Sequence, residues 1–148
     1  MPGVKVAVST DMLEGVALPL IARLEELGHE VTKFGAYEAI NRADWAFASE
    51  AAARAVADGR ADFAVVCCWT GTGASIAANK VPGVRAALCS DPQTADGARK
   101  WNDANVLALS LRTTSEPILH EILDAWFAGT ASDDESDRVN IDHVGRII

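Results

Sequence analysis

Phe63-Ala64-Val65-Val66-Cys67-Cys68-Trp69-Thr70-Gly71-Thr72-Gly73-Ala74-Ser75-Ile76-Ala77-Ala78-Asn79 decides the fold of this chain. Phe63–Cys68 is apolar throughout, without polar alternation. Such a run reads as a strand covered on both faces, as in a parallel sheet. Thr70-Gly71-Thr72-Gly73 then turns the chain into a short helix over Ala74–Asn79, stopped by Pro82-Gly83.

The same unit repeats on both sides. Upstream, Val4–Ser9 reads as a buried strand, Leu13–Leu27 as a helix ended by Gly28, Glu30–Phe34 as a second strand, and Asp44–Ala57 as an alanine-rich helix closed by Asp58-Gly59. Downstream, Val84–Cys89 is a strand, Asp91–Lys100 a helix and Val106–Leu109 a fifth strand. Ser115-Glu116-Pro117 starts a helix through Ile118–Phe127 by a cap followed by proline. Ser132–Asp137 reads as an acidic loop and Val139–Ile148 as a short tail with helical potential. Five strands alternating with helices over short connections predict a doubly wound, Rossmann-like parallel sheet in a three-layer αβα sandwich. Ligands of such sheets collect outside the carboxyl ends of the strands. Ser9–Asp11, Cys67–Gly73 and Leu109–Arg112 are therefore the segments where a site is expected.

The 148 residues suffice for one domain with a sizeable core. With 13 basic residues, scattered, and a net charge of −8, the chain lacks the basic patch that nucleic acid requires. No stretch approaches a membrane span, and the first residues are a strand pattern, not a signal peptide, so a cytoplasmic location is expected. The cysteines are Cys67, Cys68 and Cys89. An odd number with two adjacent argues against a disulfide framework, and no metal-ligand spacing links them to His29, His120 or His143.

Gly71 and Gly73 lie between a strand and a helix, so their amides can hold an anion or a developing oxyanion; the same loop can equally be a tight turn without a ligand. It lacks the Lys-Ser/Thr of a phosphate-binding P-loop and the third glycine of a dinucleotide fingerprint. Cys68 ends the strand beside those amides, where a helix N-terminus suits a thiol for work as base or nucleophile; the competing reading is a small buried hydrophobe. Alternation puts Cys67 on the opposite side, and Cys67 and Cys89 read as core.

Cys68-Trp69-Thr70-Gly71-Thr72-Gly73-Ala74-Ser75-Ile76-Ala77-Ala78-Asn79-Lys80, then Gly83-Val84-Arg85-Ala86, then Asn102-Asp103-Ala104-Asn105-Val106-Leu107-Ala108, resemble the ribose-5-phosphate isomerase B / galactose-6-phosphate isomerase family. The similarity runs from Asp11 to Asp124-Ala125-Trp126. It implies an aldose–ketose isomerase of a sugar or sugar phosphate, without metal or organic cofactor. In it Cys68 is the base moving a proton between C1 and C2 through an enediolate, and Thr70 with the amides of Gly71 and Gly73 steadies the oxygen charge. The resemblance further implies that Asn102 bonds substrate oxygens and Asp11 its hydroxyls. It also implies a homodimer or tetramer with shared sites, the segment 132–148 contacting the neighbour.

This chain departs from the family pattern at Met12, where a histidine is usual. It departs again at Trp101, where the family has a ring-opening histidine, and at Trp69, where it has glycine. The family's Asp-Tyr-Pro is Asp44-Trp45-Ala46 here. Arg112 and Arg138 remain for a substrate phosphate, whereas Asp134 and Glu135 stand where basic residues are expected. Trp45, Trp69 and Trp101 either stack on a sugar or pack for stability; Asp133, Asp134 and Glu135 either meet the site or form a solvated loop. The expected activity is isomerisation of a small sugar or sugar phosphate. The alternatives are a shorter or non-phosphorylated sugar, and a catalytically silent sugar-binding or partner subunit.

Overall fold

A computed structural model of the chain describes residues 3–39 and 42–147. The strands are β1 (Lys5–Thr10), β2 (Glu30–Gly35), β3 (Phe63–Cys68), β4 (Ala86–Leu88) and β5 (Val106–Ser110). All pair in parallel in the order β2-β1-β3-β5-β4. Between and after them run α1 (Ala17–Glu26), α2 (Trp45–Ala57), α3 (Thr72–Asn79), α4 (Pro92–Asn102), α5 (Glu116–Ala128) and α6 (Glu135–Val144). The sheet is the expected doubly wound one. The chain leaves β1 toward one edge and β3 toward the other, which opens the crevice beyond Thr10 and Cys68.

Composition separates the two helical layers. On one face α2 and α3 present alanines, among them Ala52, Ala53, Ala74 and Ala78, which lie directly on Ala7, Ala64, Val66 and Cys68 of the sheet. On the other, α1 and α5 present Leu20, Leu24, Leu119, Leu123 and Trp126 against Val6, Val8, Val65 and Cys67. The small residues let α2 and α3 approach the sheet and each other closely; the large ones supply most of the apolar area removed from water.

Two asparagines define the edge strand. The Asn79 side chain donates to the Ala86 carbonyl (3.0 Å) and accepts from the Ala86 amide (2.8 Å), as a neighbouring strand would. Asn105 Oδ1 accepts from the Arg85 amide (2.8 Å) while its Nδ2 donates to the Gly83 carbonyl (3.0 Å). Because a side chain occupies the Arg85 amide, β4 starts at Ala86 and is shorter than the Val84–Cys89 expected from its apolar run.

Two other boundaries differ from expectation. The helix expected from Leu13 starts at Ala17. Gly15 (φ 60°) holds the preceding loop against Leu111, where a Cβ would lie 2.6 Å from the Leu111 carbonyl oxygen. The acidic stretch expected as a loop is the beginning of α6: Asp134 caps it, accepting from the Ser136 amide (2.9 Å), and Glu135 and Asp137 sit in its first turn. Carboxylates there complement the positive end of the helix, so the charge run is a helix start.

Candidate active site

β3 ends in Cys68, and Gly71, three residues on, caps α3 with φ 78°. Only glycine fits there. Besides the left-handed backbone, a Cβ would stand 2.6 Å from Leu88 Cδ1 and 2.9 Å from the Leu109 carbonyl carbon. The amide of Ser75 bonds back to the Gly71 carbonyl (3.0 Å), whereas helix geometry leaves those of Thr72, Gly73 and Ala74 without an intrahelical acceptor. α3 therefore presents unsatisfied donors and its positive end immediately beyond Cys68.

The loop after β5 fixes this turn. The Leu111 amide donates to the Cys68 carbonyl (3.0 Å), and the Trp69 carbonyl accepts from the Arg112 amide (2.9 Å) and Ser110 Oγ (3.0 Å). Arg112 is thus held beside the loop, its side chain exposed. Thr70 Oγ1 and Thr72 Oγ1 are 2.8 Å apart and share a hydrogen bond. Thr72 and Ser110 lie within the expected segments Cys67–Gly73 and Leu109–Arg112, though neither has a role of its own in the sequence reading; a polar residue ending an otherwise apolar strand is the signal for Ser110.

Cys68 faces the α2/α3 layer and Cys67 the α1/α5 layer. Burial pushes the Cys67 thiol well above the ordinary range, with neighbouring Cys68 and Asp11 adding to it. Burial likewise holds the Cys89 thiol at about 12. All three cysteines are free. Asp11 follows β1 across the crevice. Its Oδ1 is buried without a hydrogen-bond partner, and burial raises its pKa, an effect that a backbone hydrogen bond opposes and Glu14 reinforces. Met12, beside it, packs partly against the leucine-rich core, its backbone held by Thr10 Oγ1 (2.7 Å to the Met12 carbonyl).

Trp45 begins α2, and its ring lies against Gly73. Trp69 is exposed at the loop. Asp11, Met12, Trp45, Cys68, Trp69, Thr70, Gly71, Gly73 and Arg112 thus share the carboxyl edge of the sheet.

Trp101, Asn102 and Arg138 do not. α4 descends from the end of β4 to the start of β5, so Trp101 and Asn102 lie at the amino edge. There they line a cleft of about 230 Å³ with Asn79, Arg85 and residues Asn140, Ile141 and Val144 of α6, the helix that carries Arg138. β5 spans 5 residues, and at about 3.3 Å per residue the two edges are roughly 17 Å apart. Asp103 fixes the end of α4. It adopts φ 47°, its carbonyl accepts from Arg85 Nε (2.7 Å), and its carboxylate pairs with Arg85 (3.5 Å) and Arg99 (3.6 Å). Asp134 is committed to capping α6. Among the described residues no cluster of three His, Cys, Asp or Glu is placed to hold a metal, and no helix is long and apolar enough to cross a membrane.

The family model described as Ribose/Galactose Isomerase matches residues 11–144. The chain is 41% identical over 107 residues to ribose-5-phosphate isomerase B of Escherichia coli, covering 72% of this chain and 71% of that protein. It is 45% identical over 74 residues to D-erythrulose-4-phosphate isomerase of Pectobacterium atrosepticum, about half of each (50% and 49%). The type B ribose 5-phosphate isomerase of Trypanosoma brucei superposes with a TM-score of 0.85 at 36% identity, covering 99% of both chains. The chain belongs to the ribose/galactose isomerase family, as an enzyme interconverting an aldose and a ketose.

Proposed function

We propose that the protein isomerises a small sugar phosphate with Cys68 as the base. The observation that carries this reading is the junction of Cys68 with the N-terminus of α3, where a thiol and a set of unsatisfied amides meet at one strand end. Cys68 takes the proton from C2 of the aldose and delivers it to C1, while a hydroxyl proton passes from O2 to O1, so the base is regenerated. Thr70 and the amides at Gly71 and Gly73 hold the enediolate oxygens, which strengthens binding only as charge develops. Asp11 accepts from a substrate hydroxyl, and Arg112 meets the phosphate.

Trp101, Asn102 and Arg138 complete the site of a second copy of the chain. Support comes from their common place at the amino edge and from α6, which buries none of its residues and leaves Val139 61% and Val144 49% exposed. The protein is accordingly a homodimer or tetramer. Its three free thiols suit the reducing cytoplasm.

Met12, Trp69 and Trp101 stand where the family pattern has histidine, glycine and histidine, so ribose 5-phosphate is expected to be a poor substrate and a shorter or open-chain sugar a better one. The relative that acts on D-erythrulose 4-phosphate supports that direction. An isomerisation screen over three- to six-carbon sugars, each with and without phosphate, tests it. Turnover of ribose 5-phosphate above every other sugar contradicts the altered-substrate reading, and no turnover of any sugar favours the silent partner subunit.

A further inference from the structure

We infer that Trp45, seated on Gly73, sets the length of the substrate, and that the preferred substrate is a four-carbon sugar phosphate; this rests on the isomerase site described under Proposed function. Gly73 is the second residue of α3, and glycine inside a helix is unfavourable relative to alanine. Its backbone is not in the left-handed region that makes Gly71 obligatory. What requires the missing Cβ is the indole: a Cβ at Gly73 would lie 2.8 Å from Trp45 Cε3 and 3.0 Å from Cδ2 and Cζ3. The benzo ring therefore rests on the first turn of α3, beside the amides that hold the enediolate, while the residue stays 45% exposed.

The segment that carries the ring is anchored. Trp45 opens α2, which packs on α3 and β1 through Ala52 and Ala53. Just before it, Arg42 pairs with Asp44 (3.2 Å) and stacks on Phe47 (3.7 Å to the centroid). An aromatic wall at this point offers a face to sugar C–H groups and removes the room for one more carbon. Pockets discriminate one carbon unit by roughly 10–200-fold.

The acid–base chemistry agrees. The loops at the carboxyl edge hold no histidine, and Cys68 and Asp11 are engaged by the isomerisation itself. A five-carbon aldose phosphorylated on its terminal oxygen still closes a furanose ring, and opening it needs a further proton transfer. A four-carbon sugar phosphorylated on its terminal oxygen has no hydroxyl left to close a five-membered ring, so it arrives open.

The test compares kcat/KM for erythrulose 4-phosphate and ribose 5-phosphate in the wild type, Trp45→Ala, Trp45→Phe, Gly73→Ala and the Trp45→Ala/Gly73→Ala double variant. Calorimetric affinities of Cys68→Ala for the two sugars give the length preference without turnover. The wild type is expected to favour the four-carbon sugar by roughly tenfold or more. Trp45→Ala should shift that ratio at least about tenfold toward ribose 5-phosphate, mainly through KM, with Trp45→Phe between. Gly73→Ala should shift the ratio in the wild type and leave it unchanged in Trp45→Ala, because the clash is then gone. A ratio unaltered in Trp45→Ala, or affinities of Cys68→Ala that favour ribose 5-phosphate, overturns the proposal. Undiminished turnover by Cys68→Ala overturns instead the mechanism on which it rests.

Discussion

Cys67 and Cys68 are consecutive in β3 yet lie in different cores, Cys67 among the leucines of α1 and α5 and Cys68 among the alanines of α2 and α3. The pleat alone produces this division. One sulfur is sealed at 1% exposure under side chains of the larger layer, and the other sits where β3 gives way to the α3 N-terminus. Cys67→Ala should cost about 1–2 kcal/mol of stability through lost burial and a small cavity. Its kcat should stay within about threefold of wild type, a change below 1 kcal/mol in barrier. Urea denaturation alongside initial rates measures both.

Gly71→Ala forces an L side chain to φ 78° and into Leu88 and Leu109. The expected loss of stability is about 1–3 kcal/mol. Activity should fall further than stability accounts for, since the turn sets the direction of the α3 amides. A protein with unchanged melting temperature and unchanged turnover would show that the turn is not needed in this form.

Asp11 links stability to pH. Its folded pKa is raised, chiefly by burial, so the folded state holds the proton more tightly than the unfolded chain. The stability this contributes is fully present below the ordinary value of 3.8 and is lost as pH rises through the folded value. At neutral pH the buried charge is a cost. Asp11→Asn is therefore expected to be more stable than wild type at pH 7, with the gap closing below pH 3.8, and at least roughly tenfold less active. Denaturation curves across that range, with activity at pH 7, read both effects.

Much of this organisation was legible in the sequence. Apolar β-branched runs located the strands, and alternation assigned the two cysteines to opposite faces. Trp126, within the apolar helix expected over Ile118–Phe127, is fully buried. What the sequence hid was set by side-chain to backbone bonds and by direction. Asn105 shortens β4 by occupying the Arg85 amide. The acidic run that begins α6 reads as a loop because the cap at Asp134 and the helix dipole reverse the usual meaning of clustered carboxylates. Thr70 and Asn102 belong to neighbouring motifs, but α4 carries Asn102 to the far edge, a separation no motif spacing reveals.

That separation is open to a complementation test. If Asn102 serves the neighbour's site, Cys68→Ala and Asn102→Ala chains, each inactive alone, should regain activity when coexpressed. One intact site in each mixed dimer gives about a quarter of wild-type activity under twofold symmetry. Sedimentation should find no monomer of 15.6 kDa at micromolar concentration. A monomer, or no recovery on mixing, contradicts the shared site.

The most direct test of the central claim is the turnover of Cys68→Ala on the best sugar phosphate found, set beside its denaturation curve and that of Cys67→Ala. Loss of the base should lower kcat by about 10²–10⁴-fold in a protein that still folds cooperatively. A folded Cys68→Ala with near-wild-type kcat would assign the proton transfer to another residue and contradict the account.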